Sequence, residues 1–265
     1  MTRRQRSPAT VPRIIRFVFF AAAAVVAGAV SPGCGVPESP RLKGMPDRML
    51  WAWERPEDLR FAEPGRYGVA FLAQTLLLEN DEVKVRSRRQ PLEVAKGAYV
   101  VAVTRVETSK DRSSRPGLGD EQIRKAVDLI ERTTKLPGVR AVQVDFDAVV
   151  SERPFYRRLL ASLREALPEE VPVSITSLAS WCMGDRWFSG LPVDEVVPMA
   201  FDMGKDDKTI RNFLKAGNDW KEPLCRRSYG LMLADELYGS VDRDRRIYYF
   251  KESSWQPSDL SKIEP

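Results

Sequence analysis

The chain has 265 residues, 43% of them hydrophobic, enough for one large domain with its own core. Its net charge of +5 comes from five arginines (Arg3, Arg4, Arg6, Arg13, Arg16) in the acid-free residues 1–33; the remainder is balanced, without the basic surplus of a nucleic-acid-binding domain. The absence of histidine excludes Ser-His-Asp and Cys-His nucleophiles and the commonest zinc ligand, and three scattered cysteines are too few for a Cys-only zinc site, so chemistry falls to carboxylates, tyrosines and lysines, with no metal or cofactor expected.

Residues 1–16 are basic and Phe17–Val30 is an unbroken run of 14 apolar residues, followed by small residues and Cys34. This is the layout of a secretory signal, and at about 1.5 Å per residue the run is short for a hydrocarbon layer of roughly 30 Å. Arg3-Arg4 lacks the flanking residues of a twin-arginine signal. Ser31-Pro32-Gly33-Cys34 resembles a bacterial lipobox, departing from it at Ser31 and Pro32; the alternative is ordinary cleavage after Ala29 or Ser31. The chain is expected to be exported, to the periplasm or cell surface, with Cys34 as the lipidation site that would anchor it to the membrane. Residues 1–33 then form the signal peptide, 34–47 a Pro- and Gly-rich tether, and 48–265 a single domain.

From Met49 onward, short apolar runs alternate with helical or loop segments. The expected strands are Met49–Trp53, Tyr67–Ala73, Ala98–Val106, Ala141–Ala148, Val171–Leu178, Val196–Asp202, Ser228–Asp235 and Arg246–Phe250. Helices are expected at Asp120–Lys135, with Asp120 as N-cap, at Phe155–Leu167, and less clearly at Asp206–Ala216. Thr75–Leu78 and Val83–Val85 flank Glu79-Asn80-Asp81-Glu82, which reads as a β-hairpin after the second strand. Eight strand–crossover units rich in Val, Ile and Leu predict a (β/α)₈ TIM barrel with some helices shortened. A doubly wound sheet is the alternative, but no Gly-rich phosphate loop follows any strand.

The pivotal stretch is Val142–Ala148, V-Q-V-D-F-D-A. Side chains i and i+2 of a strand share a face, so Asp145 and Asp147 project together from the end of the fourth strand, where barrel chemistry collects. The other strand ends supply Trp51, Trp53 and Glu54; Arg105 and Glu107; Ser177 and Trp181; Asp202; and Asp235, Glu236 and Tyr238. Acids and aromatics around one cavity suit a glycan, whose rings stack on aromatic faces while carboxylates bond hydroxyls or act on the glycosidic bond.

V-Q-V-D-F-D-A resembles the fourth-strand motif D-x-x-D-x-D-x-E of family 18 glycoside hydrolases, the chitinase-like TIM barrels, and Met199-Ala200-Phe201-Asp202 resembles their sixth-strand M-x-Y-D. With W-A-W-E near the start and S-W-C-M-G-D-R-W after the fifth strand, residues 48–250 resemble a bacterial family of domains of unknown function grouped with TIM-barrel glycosidases. The resemblance implies that Asp145 and Asp147 match the inner two aspartates and Asp202 the sixth-strand acid. The chain departs from the pattern where the acid/base Glu stands, carrying Val149 instead. Hydrolysis would therefore use another carboxylate: Asp147, or a coupled Asp145/Asp147 pair, with Glu107 or Asp235 as partner acid, Asp202 as a further catalytic candidate, and Trp53, Glu54, Arg105, Trp181, Glu236 and Tyr238 binding the glycan. The alternative is a non-catalytic glycan binder or a structural surface lipoprotein.

Each feature also has a structural reading. Asp145 and Asp147 could bond backbone N–H groups or pair with Arg105, Glu107 could simply pair with Arg105, and Asp235-Glu236 could be solvated loop. At most one of Trp51 and Trp53 is expected to line a pocket. Cys182 follows the fifth strand and Cys225 precedes the seventh, so chain order sets them at opposite barrel ends, and a disulfide between them stays open.

Overall fold

Eight parallel strands close on themselves in the computed structural model, which describes residues 1–2, 38–185, 187 and 189–263. The chain divides into two units, Met1–Gly33 and Cys34–Pro265, and the barrel belongs to the second. The expected signal segment from Arg3 onward and Cys34 lie outside the described residues. In chain order the strands are β1 (Arg48–Ala52), β2 (Glu57–Leu59), β3 (Tyr67–Glu79), β4 (Glu82–Ser87), β5 (Leu92–Val94), β6 (Tyr99–Thr108), β7 (Val139–Asp145), β8 (Val173–Leu178), β9 (Glu195–Met199), β10 (Ser228–Met232) and β11 (Arg246–Phe250). The order β1-β11-β10-β9-β8-β7-β6-β3, closed by β1 pairing with β3, is the (β/α)₈ barrel that the sequence predicts. β3 runs on past the barrel and folds back antiparallel onto β4, the expected hairpin, with Asn80 taking a left-handed φ of 47° in its turn.

Among the described residues, three crossovers carry α-helices: α1 (Asp120–Thr133), α2 (Arg153–Ala166) and α3 (Asp207–Lys215). Their apolar stripes recur at helical spacing, Ile123, Ala126, Val127 and Ile130 on α1 and Phe155, Tyr156, Leu159, Leu160 and Leu163 on α2, and all are buried against the barrel wall. The cap of α1 is Gly119, not Asp120, which sits in the first turn and pairs with Arg158. No described α-helix lies between β1 and β3 or between β3 and β6; β2 and β5 pair there as a small parallel sheet. Among the described residues no helix is long and apolar enough to cross a membrane.

The barrel interior is a second core. Met49, Trp51, Ala70, Val101, Val103, Ala141, Val197, Tyr248 and Phe250 fill it, and Gly68 leaves room for the Met49 side chain, since a Cβ there would stand 2.4 Å from Met49 Sδ and force that side chain to shift. At the strand N-termini, buried Glu195 accepts from Arg246 (2.7 Å) and from the Tyr248 hydroxyl (2.8 Å). Part of the stretch that composition reads as a tether is packed against this end. Leu42 and Met45 are buried in the interior core, Arg246 Nε donates to Pro46 O (2.9 Å), and Arg41 pairs with Asp194 (3.2 Å).

Cys182 and Cys225 are joined, with Cα atoms 5.9 Å apart. The opposite-ends argument yields because both crossovers lie along the outer wall: Lys221 N and Glu222 N donate to Cys182 O, and both cysteines belong to the outer core. The bond spans 43 residues, so removing it as Cys182→Ser/Cys225→Ser is expected to cost about 2–4 kcal/mol. Urea unfolding of the variant and of reduced wild type should show the same lowered midpoint; an unchanged midpoint would rule the cross-link out as a stabiliser.

Candidate functional site

A cavity of about 760 Å³ opens at the C-terminal ends of the strands. β7 delivers the two aspartates to it as its alternation dictates. Val142 and Val144 point to the outer core, while Asp145 and Asp147 both line the cavity. Asp145 is 6% exposed and accepts a hydrogen bond from Thr176 Oγ1 (2.6 Å) of the neighbouring β8. Its second oxygen lies 3.7 Å from an Arg105 nitrogen on β6, the other flanking strand. Burial pushes the Asp145 carboxyl up to about 6, against the Thr176 bond and Arg105, and with the charge of Asp147 adding to the rise. Asp147 is exposed to the cavity, yet the surrounding walls raise its carboxyl too, opposed by Arg105 and Lys110.

Trp51 and Trp53 stack at 6.2 Å between centroids, and both line the cavity. The i, i+2 rule that joins the aspartates joins these rings as well, correcting the expectation that only one faces a pocket. The Arg105 guanidinium lies 5.4 Å from the Trp53 ring centroid, and Trp51 packs at 4.5 Å on Phe250. Arg88 fixes this strand end by donating to the carbonyls of Trp53 and Arg55, and Trp255 Nε1 donates to Trp51 O (2.9 Å). Trp51 itself is 3% exposed, and its Nε1 has no hydrogen-bond partner.

Asp202 lines the rim beside Phe201, in a left-handed φ of 49° that an aspartate tolerates better than most residues. Glu107 pairs with Arg105 (3.0 Å) and lines an adjoining cavity of about 380 Å³, which shares Arg105, Asp145 and Asp147 with the main one. Glu152, the next glutamate after the motif, is engaged elsewhere: it accepts from Thr108 Oγ1 (2.7 Å) and Val149 N (2.9 Å). Val149, 51% exposed, leaves the familiar donor position without a carboxylate.

Five expected site residues line neither of these two cavities. β10 ends at Met232, three residues before the expected end, and Ala234 turns the chain with a φ of 63°. Asp235 therefore caps a 3₁₀ turn at Leu237 N (2.8 Å), and both its oxygens are taken by Arg211 of α3 (2.7 and 3.2 Å). The bond to Asp235 holds Arg211 the more firmly in its charged form. Glu236 pairs with Lys215, and the Tyr238 hydroxyl donates to Ile263 O with Arg243 over its ring (4.5 Å). Glu54 pairs with Arg86 of β4 (3.5 Å). Trp181 enters a 3₁₀ turn after β8 and is buried edge-on to Trp187 at 4.9 Å.

The cavity gains residues that the strand-end survey passed over: Arg55, Lys205, Asp206, Lys251 and Glu252. Lys251 and Glu252 directly follow β11, so the strand-end rule applied to the eighth strand would have found them. Among the described residues no group of three or more acids or cysteines is arranged to hold a metal ion.

No family model matches the chain, and no curated protein matches it. Among solved structures it is similar to a family GH18 chitinase from Chromobacterium violaceum, with 10% identity over 86% of this chain and 82% of that one and a TM-score of 0.46. That likeness is distant; the (β/α)₈ barrel stands on its own strand order.

Proposed function

We propose that this chain is a carbohydrate-active barrel, glycoside-hydrolase-like, that acts on an envelope or extracellular glycan through the acids at the end of β7. The observation that carries the reading is the pair Asp145 and Asp147 lining one aromatic-walled cavity, both carboxyls raised, Asp145 to about 6. A carboxyl poised there can hold a proton at mildly acidic pH and release it, which acid–base catalysis requires. Asp147, open to the cavity, is the group placed to meet a glycosidic oxygen; Asp145, buried behind it, sets the charge of the pair. Asp202, Asp206 and Glu252 are further acids lining the cavity, and Trp53, half-buried and backed by Trp51, offers a ring for stacking.

A second reading, a non-catalytic glycan binder, is favoured by Val149 in place of a dedicated proton donor. A hydrolysis screen combined with glycan-array binding separates the two. Turnover abolished by Asp147→Asn supports the enzyme; binding that survives the substitution, with no product from any glycan, supports the binder.

We place the protein outside the cytoplasm, tethered to the membrane by lipid on Cys34. The Cys182–Cys225 disulfide supports an oxidising compartment. Fractionation of cells expressing the full chain should find mature protein in the membrane fraction, and Cys34→Ala should release it in soluble form. Mature protein still beginning at Met1 in the cytoplasm would contradict export, and a Cys34→Ala variant that stays with the membrane would contradict the lipid.

A further inference from the structure

Beyond residue 33 the chain carries as many acids as bases, so any charged face must come from how the fold sorts them. It gathers cations at the N-terminal ends of four adjacent barrel strands. Arg48 opens β1, Arg66 precedes β3, Lys96 precedes β6 and Arg140 is the second residue of β7, with Lys135 in the turn from α1 to β7. Lys96, Lys135 and Arg140 are exposed, and they and Arg48 make no ion pair among the described residues. Arg48 donates to the carbonyls of Asp47, Arg243 and Arg245, and the Arg140 guanidinium lies 5.5 Å from the Tyr99 ring centroid. The acids of this sector are Glu63, half-buried Glu131, and Asp47, which stands 3.8 Å from Arg246. The starts of β8 and β9 carry Glu169, Glu170 and Asp194 instead, so the surplus is confined to the β1-β3-β6-β7 side.

An apolar contact stands among these cations. Leu136 follows Lys135 in the same turn and is 41% exposed. With Pro137, Leu92, Val94 and Leu129 it lines an apolar groove of about 540 Å³, beside the β3–β6 crossover where no described α-helix covers the wall. The chain also enters the barrel at this end. Glu38 pairs with Arg246 at the start of β11 (3.3 Å), and Cys34 lies four residues before it, within about 14 Å at full extension. Cations around an exposed leucine suit the interface of an anionic bilayer: phosphates meet the ammonium and guanidinium groups, and the leucine enters the acyl boundary. We propose that this end of the barrel docks on an anionic phospholipid surface, which turns the cavity at the opposite strand ends away from the membrane. The proposal rests on the Cys34 tether read above and adds which face meets the bilayer. Without the tether the face binds weakly and reversibly, so Cys34→Ala protein still leaves the membrane on washing.

The test is co-sedimentation with vesicles at low salt of residues 34–265 carrying Cys34→Ala, the unit that holds the whole barrel and its disulfide. Vesicles of phosphatidylglycerol and phosphatidylcholine in equal parts should bind it about a hundredfold more tightly than phosphatidylcholine alone. That preference should collapse at roughly 1 M salt, where the Debye length is about 3 Å. Each basic residue at an anionic surface is worth about fivefold, so Lys96→Gln/Lys135→Gln should weaken binding about 10- to 25-fold. Leu136→Ser should weaken it about threefold. Arg112→Gln/Arg115→Gln removes the same charge from exposed residues beyond the C-terminal end of β6 and should leave binding unchanged. Circular dichroism checks that each variant is folded. No preference for the anionic vesicles, or an equal loss in the Arg112/Arg115 variant, overturns the docking face and leaves standing the tether, which fractionation tests separately. Binding unmoved by Leu136→Ser makes the face a site for a soluble polyanion and overturns the bilayer assignment.

Discussion

Asp147→Asn is expected to lower glycan turnover by about 10²–10⁴-fold, the range that a positioned acid–base group contributes, while the protein remains folded. The separation of the two effects follows from geometry. Asp147 is exposed to the cavity, and no described hydrogen bond or ion pair depends on its side chain, so its loss should change stability by no more than about 0.5 kcal/mol. Asparagine keeps the volume and one acceptor but neither the charge nor the proton. Asp235→Asn is the contrasting variant. Its two oxygens belong to Arg211 and to the cap of a 3₁₀ turn, so it should move the unfolding midpoint and leave turnover in place. Initial rates on whichever glycan the wild type hydrolyses, with urea unfolding of both variants, check the pair. A loss of turnover in Asp235→Asn comparable to that in Asp147→Asn would mean that the cavity is not where the reaction occurs.

The contrast between those two aspartates shows what was legible in the chain and what was not. The barrel was readable because its strands are buried on both faces and so appear as uninterrupted Val, Ile and Leu runs, and Arg246–Phe250 matches β11 residue for residue. Asp145 and Asp147 were readable because alternation within one strand fixes side-chain direction without reference to any other part of the chain. Asp235 depended on where β10 stops. An apolar run continues through Leu233 and Ala234, but the strand leaves the sheet at Met232, and the partner that claims Asp235 lies 24 residues away on α3. Glu54, Trp181, Glu236 and Tyr238 depart in the same way, each taken up by a partner remote in sequence or by a turn. The packed part of the expected tether carried a local signal that composition hides: Leu42 and Met45, three apart among prolines and glycines, are the apolar pair buried at the end of the barrel. The disulfide carried none, since strand order says where a crossover begins and not how far it runs back along the wall.

Asp145→Asn is expected to stabilise the protein at pH 8 and to do little at pH 4. Burial lifts the Asp145 carboxyl from the ordinary carboxylate range to about 6 in the folded protein. Between the unfolded value near 4 and that folded value, the native state binds more protons than the unfolded chain, so stability falls as pH rises through this window. Above it Asp145 is ionised in a buried site and the full deficit, about 3 kcal/mol from a rise of roughly two units, is present. Asparagine removes the charge and still offers Oδ1 to the Thr176 hydroxyl, at the loss of the Arg105 contact at 3.7 Å. The net gain at pH 8 should be about 1–3 kcal/mol, shrinking towards zero at pH 4, where the wild-type carboxyl is itself protonated and nearly isosteric with the amide. Urea midpoints of both proteins across pH 4–8 measure it directly. The outcome also decides between the two readings of the pair. If Asp145 and Arg105 form a structural ion pair, its removal strips Arg105 of a counter-charge and destabilises most at neutral pH. If Asp145 is a carboxyl held out of its preferred state for the sake of proton transfer, the variant is more stable and less active, the trade expected of a strained functional group.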